Sequence, residues 1–264
     1  MLSLEHEFRL ERLILEKPVD MRYKVHYLKE WPYSNIGIIK TPYIVGTGIL
    51  ISSNIVITCA HIIYHTTIPS KIQFFSPLNP SKLDFFKAKN YFIPRNFKID
   101  DPQPNPNDWA LIYLEKDPSL EKMKPLKMKI FDDERIKYPI SLIGYPGDKR
   151  GDMYETCGEI YECFKDHFSY KLDTTTGQSG SPLLARIEGN IYLIGIHQSS
   201  DLFIEKKNGV VMNQFTNKNW GVRINQEIQR KIKNFQQIED KNIYVSIENV
   251  ENLIHKGNEG NYFK

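Results

Sequence analysis

The sequence predicts an all-β protein built from two antiparallel six-stranded barrels with a closing C-terminal helix. Three observations predict this. Short β-branched runs separated by turn residues recur along the chain, as in Ile36-Gly37-Ile38-Ile39, Ile44 to Ile51 and Ile55 to Thr58, a spacing that suits closed barrels. The runs fall into two sets, divided by a charged, proline-broken stretch at 119–135 of the kind that crosses between folding units. Ile224, Ile228, Ile232 and Phe235 then repeat at helical spacing from Asn225, a good capping residue.

The expected order is an N-terminal extension at 1–32, a first barrel at 33–118, the crossing at 119–135, a second barrel at 136–224, and a helix with a polar tail at 225–264. Residues 1–17 mix Phe8, Leu10, Leu13, Ile14 and Leu15 with charges, and Pro18 stops the pattern. That predicts an amphipathic helix, serving as a removable pro-segment, a docking helix or a plain surface helix. In the first barrel, Ser52-Ser53-Asn54 reads as a tight turn. Phe74-Phe75, Phe85-Phe86 and Tyr91-Phe92-Ile93 read as separate strands, Asp100 to Asn107 as a proline-rich loop, and Trp109 to Leu114 as the last strand. The second barrel takes Ile140 to Ile143, Gly158 to Phe164, Phe168 to Leu172, Leu183 to Ile187, Ile191 to His197 and Trp220 to Ile224.

With 264 residues, the chain can bury roughly 70–75% of its unfolded surface and needs no disulfide or metal staple. Its charges are dispersed and sum to +3. There is no basic stripe with interleaved aromatics, so nucleic acid is not the expected partner. No apolar run reaches the length of a membrane span, and Glu5, Glu7, Arg9, Glu11 and Arg12 interrupt any secretory hydrophobic core. An intracellular setting or a non-standard export route is expected. Three cysteines, Cys59, Cys157 and Cys163, argue against a disulfide framework. The expectation is a monomer without cofactor.

The chemistry concentrates in Thr174-Thr175-Thr176-Gly177-Gln178-Ser179-Gly180-Ser181-Pro182. Glycines on both sides of Ser179 permit a turn that a side chain would obstruct. Such a turn pushes the hydroxyl outward and aims consecutive backbone N–H groups at one point, giving a nucleophile and an oxyanion hole from the same residues. By itself the stretch is also an ordinary surface turn, so a base and an orienting group must come from elsewhere. Thr58-Cys59-Ala60-His61 delivers a histidine at the end of an apolar strand, a residue type suited to proton transfer at neutral pH. Asn107-Asp108-Trp109-Ala110-Leu111 places an acid directly before an apolar strand, where a carboxylate needs a buried donor such as an imidazole N–H. Competing motifs fail. Ser181 replaces the last glycine of a Gly-x-Ser-x-Gly elbow, and Ile62 occupies the general-base position of a His-x-x-x-His zinc helix. No metal site is expected.

The order His61, Asp108, Ser179 resembles that of the chymotrypsin-type serine endopeptidases. Gly48-Ile49-Leu50, Gly144-Tyr145-Pro146-Gly147-Asp148-Lys149, Ile194-Gly195-Ile196-His197 and Trp220-Gly221-Val222-Arg223-Ile224-Asn225 make it closer still to the bacterial glutamyl endopeptidases and exfoliative toxins. The resemblance implies Ser179 as nucleophile, His61 as base and Asp108 as its orienter, with the N–H groups of Gly177 and Ser179 as oxyanion hole. It implies His197 and Thr174 in a pocket for a glutamate side chain, and a mature N-terminus near Glu16 to Val19. Gln198-Ser199-Ser200 stand where the relatives carry a bulky residue and then glycine, so Gln198 and Ser199 are expected to line the substrate groove and either narrow it or change the preference. The expected partners are protein or peptide substrates. The alternative is a protease-fold module that binds peptides without cleaving them.

Overall fold

The computed structural model describes residues 20–79, 84–101, 104–115, 124–130, 138–200, 203–207, 210–214 and 218–240. The amphipathic stretch at 1–17 and the tail after Asp240 lie outside the described residues. The first barrel comprises β2 (Ile36–Lys40), β3 (Val45–Leu50), β4 (Ile55–Thr58), β5 (Gln73–Phe75), β6 (Phe86–Phe92) and β7 (Ala110–Leu114). It closes in the order β2-β3-β4-β7-β6-β5. The second comprises β9 (Pro139–Gly144), β10 (Tyr154–Cys163), β11 (His167–Tyr170), β12 (Pro182–Ile187), β13 (Asn190–Ser200) and β16 (Asn219–Arg223). The order β10-β11-β16-β13-β12-β9 is closed by pairing of β9 with β10. Two closed antiparallel barrels are therefore present, as the strand spacing predicts.

Several elements differ from expectation. The two aromatic runs around Phe86 and Tyr91 belong to one strand, β6, with a register shift between Ala88 and Asn90. Lys87 and Lys89 break its apolar pattern: Lys87 faces solvent, and the Lys89 ammonium lies 5.2 Å above the Tyr113 ring. Within the expected crossing, Lys127–Met128 (β8) pairs in parallel with β13. Tyr23–Lys24 (β1) adds to the edge of β10, and Phe203–Lys207 (β14) with Val210–Gln214 (β15) forms a separate hairpin. The sequence reading contains none of these short pieces, because two residues of strand or a charged hairpin carry little apolar periodicity.

Barrel interiors are apolar. Ile140, Leu142, Phe168, Tyr170, Leu183 and Ile194 fill the second, and a larger cluster through Ile39, Ile57, Phe74 and Leu111 fills the first. That larger cluster continues into the helix Gln226–Asp240 through Ile228, Ile232 and Phe235. Asn225 caps the helix, its Oδ1 accepting the Ile228 N–H at 2.9 Å. The Phe235 ring meets Tyr113 of β7 edge-on at 6.3 Å. A helix that follows the second barrel thus packs on the first. No described helix is long and apolar enough to cross a membrane.

Phe235→Ala should destabilise the protein by about 3–5 kcal/mol, the usual range for an emptied aromatic core site. Urea unfolding followed by tryptophan fluorescence measures this.

Candidate active site

The seam between the barrels gathers the residues singled out in the sequence. His61 stands in the short helical turn Ala60–Ile63 that follows β4. Its exit from the strand is thus a turn of helix rather than the strand end itself. Asp108 is fully buried just before β7. One carboxylate oxygen accepts the His61 backbone N–H at 2.9 Å, and the other lies 2.7 Å from His61 Nδ1. A carboxylate can only accept, so the Nδ1 hydrogen points at Asp108 and Nε2 keeps a free lone pair.

Ser179 sits in the turn before β12. Gly177 and Gly180 flank it with φ of +92° and +84°, a region costly for any residue with a Cβ. A Cβ on Gly180 would also fall 2.1 Å from the Thr47 carbonyl oxygen. Among the described residues, the N–H groups of Gly177 and Ser179 have no protein acceptor, whereas Gly180 donates to the His197 carbonyl and Gln178 to that of Thr175. These two N–H groups therefore have no partner among the described residues. The Ser179 hydroxyl donates to the Gln198 carbonyl at 3.2 Å.

Thr47 of β3 ties this turn to the first barrel. Its N–H donates to the Ser179 carbonyl at 2.8 Å, and its hydroxyl donates to the Gly177 carbonyl at 2.9 Å. The same hydroxyl accepts the Tyr145 N–H at 3.2 Å. The sequence signal was there: a lone hydroxyl residue between Gly46 and Gly48 in an otherwise apolar strand.

His197 is only 3% exposed, and its Nδ1 lies 2.7 Å from the Tyr170 hydroxyl, which also reaches the Trp220 carbonyl at 3.1 Å. Burial, with a smaller push from the charge of His61, drives His197 down to about 3. Thr174 donates to Asn219 Oδ1 at 2.6 Å, and Asn219 in turn donates to the Leu172 carbonyl. Tyr170 escaped the sequence reading because it lies inside the strand run Phe168 to Leu172, and Asn219 because it ends a polar stretch just before the run Trp220 to Ile224. The expectation that Gln198 lines the groove needs correcting: its side chain is 1% exposed and turns inward to Asp108 and Asn105. The Ser199 hydroxyl is also buried and has no hydrogen-bond partner.

Cys59, His61 and Asp108 bring ligand-type atoms within 4.8 Å of one another. Those atoms are already engaged: burial pushes the Cys59 thiol well up, and the thiol donates to the His197 carbonyl at 3.1 Å. All three cysteines are free. Beside the turn at 147–149, Arg22 pairs with Asp20 and Asp148, and the Met21 N–H donates to Asp173 Oδ2 at 2.7 Å. The N-terminal segment thus runs next to Thr174.

Two barrels with a histidine–carboxylate pair on one and a glycine-flanked serine on the other define a chymotrypsin-like arrangement. A family model described as a trypsin-like peptidase domain matches residues 46–196, more than half of the chain. The chain belongs to the trypsin-like peptidase family. It is 27% identical over 228 residues to a glutamyl endopeptidase of Staphylococcus epidermidis, covering 82% of this chain and 73% of the relative. It is 37% identical over 123 residues to a glutamyl endopeptidase of Staphylococcus aureus, covering 46% of this chain and 29% of the relative. A solved structure of a Glu endopeptidase superposes with a TM-score of 0.66 at 21% identity, covering 82% of this chain and 96% of that one.

Two outcomes follow. Thr47→Val leaves the Gly177 carbonyl and the Tyr145 N–H without a buried partner and should cost about 2 kcal/mol in urea unfolding. The His197 ring accepts a proton in the unfolded chain near ~6.5 but in the folded chain only near about 3. Stability should therefore fall as pH drops through that window and be unaffected by this group above it. His197→Gln should flatten the acid slope of unfolding free energy against pH.

Proposed function

We propose that the chain is a serine endopeptidase that works through His61, Asp108 and Ser179 and prefers glutamate before the scissile bond. The observation that carries the reading is the buried Asp108 holding the His61 ring through Nδ1 while Nε2 stays free. Ser179 Oγ attacks the peptide carbonyl and passes its proton to His61 Nε2. The Gly177 and Ser179 N–H groups receive the oxyanion, each such donor being worth roughly 10²–10³ in rate. His61 returns the proton to the leaving amine, and water repeats the sequence on the acyl-enzyme.

The glutamate preference rests on His197, Thr174 and the named relatives. A carboxylate needs donors, and neutral His197 offers one hydrogen. Tyr170 can give its single proton to only one partner. When it donates to His197 Nδ1, the ring's own hydrogen sits on Nε2, the tautomer that a carboxylate selects. The contact of Met21 with Asp173 supports an N-terminal segment that helps form this pocket once the chain is cut near Glu16 to Val19. The chain acts as a monomer on protein or peptide substrates.

A second reading, a peptide-binding module without turnover, is favoured by one observation: the Ser179 hydroxyl rests on the Gln198 carbonyl rather than on His61. A peptide panel varying only the residue before the scissile bond (Glu, Asp, Gln, Lys, Leu) decides between them, with Ser179→Ala as control. Cleavage after Glu that falls by about six orders of magnitude in the control, from material with a new N-terminus by mass spectrometry, is the expected result. Cleavage after another residue discards the pocket and keeps the nucleophile. Peptide binding without cleavage establishes the second reading.

A further inference from the structure

The second barrel borders a cavity that the proposed peptidase reaction does not use. Its volume is about 490 Å³, within the range of small-molecule sites. Ile143 of β9, Leu184 of β12, Ile191 of β13 and Trp31, from the segment before β2, give it apolar walls. It lies at the far end of the β12–β13 hairpin from the candidate active site. Ser179 stands just before β12 and His197 toward the end of β13, whereas Arg186, Gly189 and Ile191 border the turn between the two strands.

One lining group is short of donors. Glu155 of β10 lines the cavity and is only 7% exposed. Its Oε2 accepts the Tyr33 hydroxyl at 2.8 Å, and its Oε1 meets the Cys157 thiol, a weak donor, at 3.7 Å. That thiol also lies 3.1 Å from the Tyr23 hydroxyl and 3.3 Å from Ser141 Oγ, so three oxygens compete for its one hydrogen. Burial, then the Glu155 carboxylate, push Tyr33 up to about 12, which keeps it a donor. Among the described residues no lysine, arginine or histidine forms an ion pair with Glu155, although a buried carboxylate is costly without a paired charge. We propose that this cavity binds a small organic cation, an ammonium or amidinium group on an apolar body, with Glu155 taking the cation and Trp31, Ile143, Leu184 and Ile191 enclosing the rest. Two other charges lie near. Arg186 also lines the cavity but is exposed, where an ion pair is worth little. The Lys124 ammonium covers the Trp31 ring at 4.5 Å, so that face is closed to a ligand cation and Glu155 is the group that selects charge. The inference stands whether or not the chain cleaves peptides.

The cavity holds its own reporter. Cys157 is exposed and lines it, whereas Cys163 is half-buried outside it. The full chain is treated with iodoacetamide, and alkylation of the two thiols is followed by mass spectrometry. Tryptamine should slow alkylation of Cys157 saturably and leave Cys163 unchanged. Tryptophol, the same body with a hydroxyl in place of the ammonium, should need at least about tenfold more for equal protection, the effect of one charge-assisted hydrogen bond. In Glu155→Gln, whose amide oxygen still accepts from Tyr33, the two compounds should protect alike. The proposal is overturned by no protection from tryptamine, by equal slowing at Cys163, or by equal protection from tryptophol in the wild type. Better protection by indolepropionate also overturns it, since Arg186 would then select the charge. Should Glu155→Gln not fold, tryptamine against tryptophol in the wild type decides. If Cys157 does not alkylate in the free protein, calorimetry with the same three compounds takes its place.

Discussion

The candidate site depends on hydrogen bonds that cross the seam between two barrels. Thr47 carries the most important of them. The turn bearing Ser179 must hold two glycines at positive φ and leave two N–H groups without partners, an arrangement that forfeits local stability. Thr47 compensates from outside the turn: its amide takes the Ser179 carbonyl and its hydroxyl takes the Gly177 carbonyl. The peptide planes fixed in this way carry the N–H groups of Gln178 and Gly180, which donate to the Thr175 and His197 carbonyls. Thr58 extends the same line, donating its hydroxyl to the Thr47 carbonyl at 2.7 Å. The histidine strand, the neighbouring strand and the serine turn are therefore linked in one chain of bonds.

Two histidines near the seam are treated oppositely by the fold. His61 keeps partial contact with solvent and faces a buried carboxylate. His197 is enclosed, faces a tyrosine hydroxyl and shares the region with His61, so a proton on it is unwelcome. One ring thus faces a buried carboxylate and the other a neutral hydroxyl. The difference comes from the partner each ring meets and from burial, not from residue type.

Much of this was legible from the chain alone. The two barrels could be read because β-branched strands recur with turn residues between them. His61 could be read because it ends an apolar run, Asp108 because it directly precedes one, and Ser179 because glycines stand on both sides of it. What escaped was set by contacts distant in sequence. Gln198 and Asn105 are 93 residues apart, and nothing local says that a glutamine in β13 turns inward. Tyr170 looks like an ordinary strand residue, and Asn219 like the end of a polar stretch, until the barrel closes and brings them to His197 and Thr174. The segment around Lys127–Met128 reads as a crossing because its strand is two residues long and pairs in parallel, a pattern with no periodicity to detect.

The closing helix carries a consequence for the order in which the molecule can be made. Ile228, Ile232 and Phe235 belong to an apolar cluster that runs through the first barrel and takes in Ile143, Leu193 and Val222 of the second, and a ribosome delivers them after both barrels have been synthesised. The half made first therefore lacks its contacts with Ile228, Ile232 and Phe235 until the helix emerges. Vectorial synthesis and the completion of packing run in opposite directions, so a nascent chain carrying both barrels still lacks the piece that seals the first.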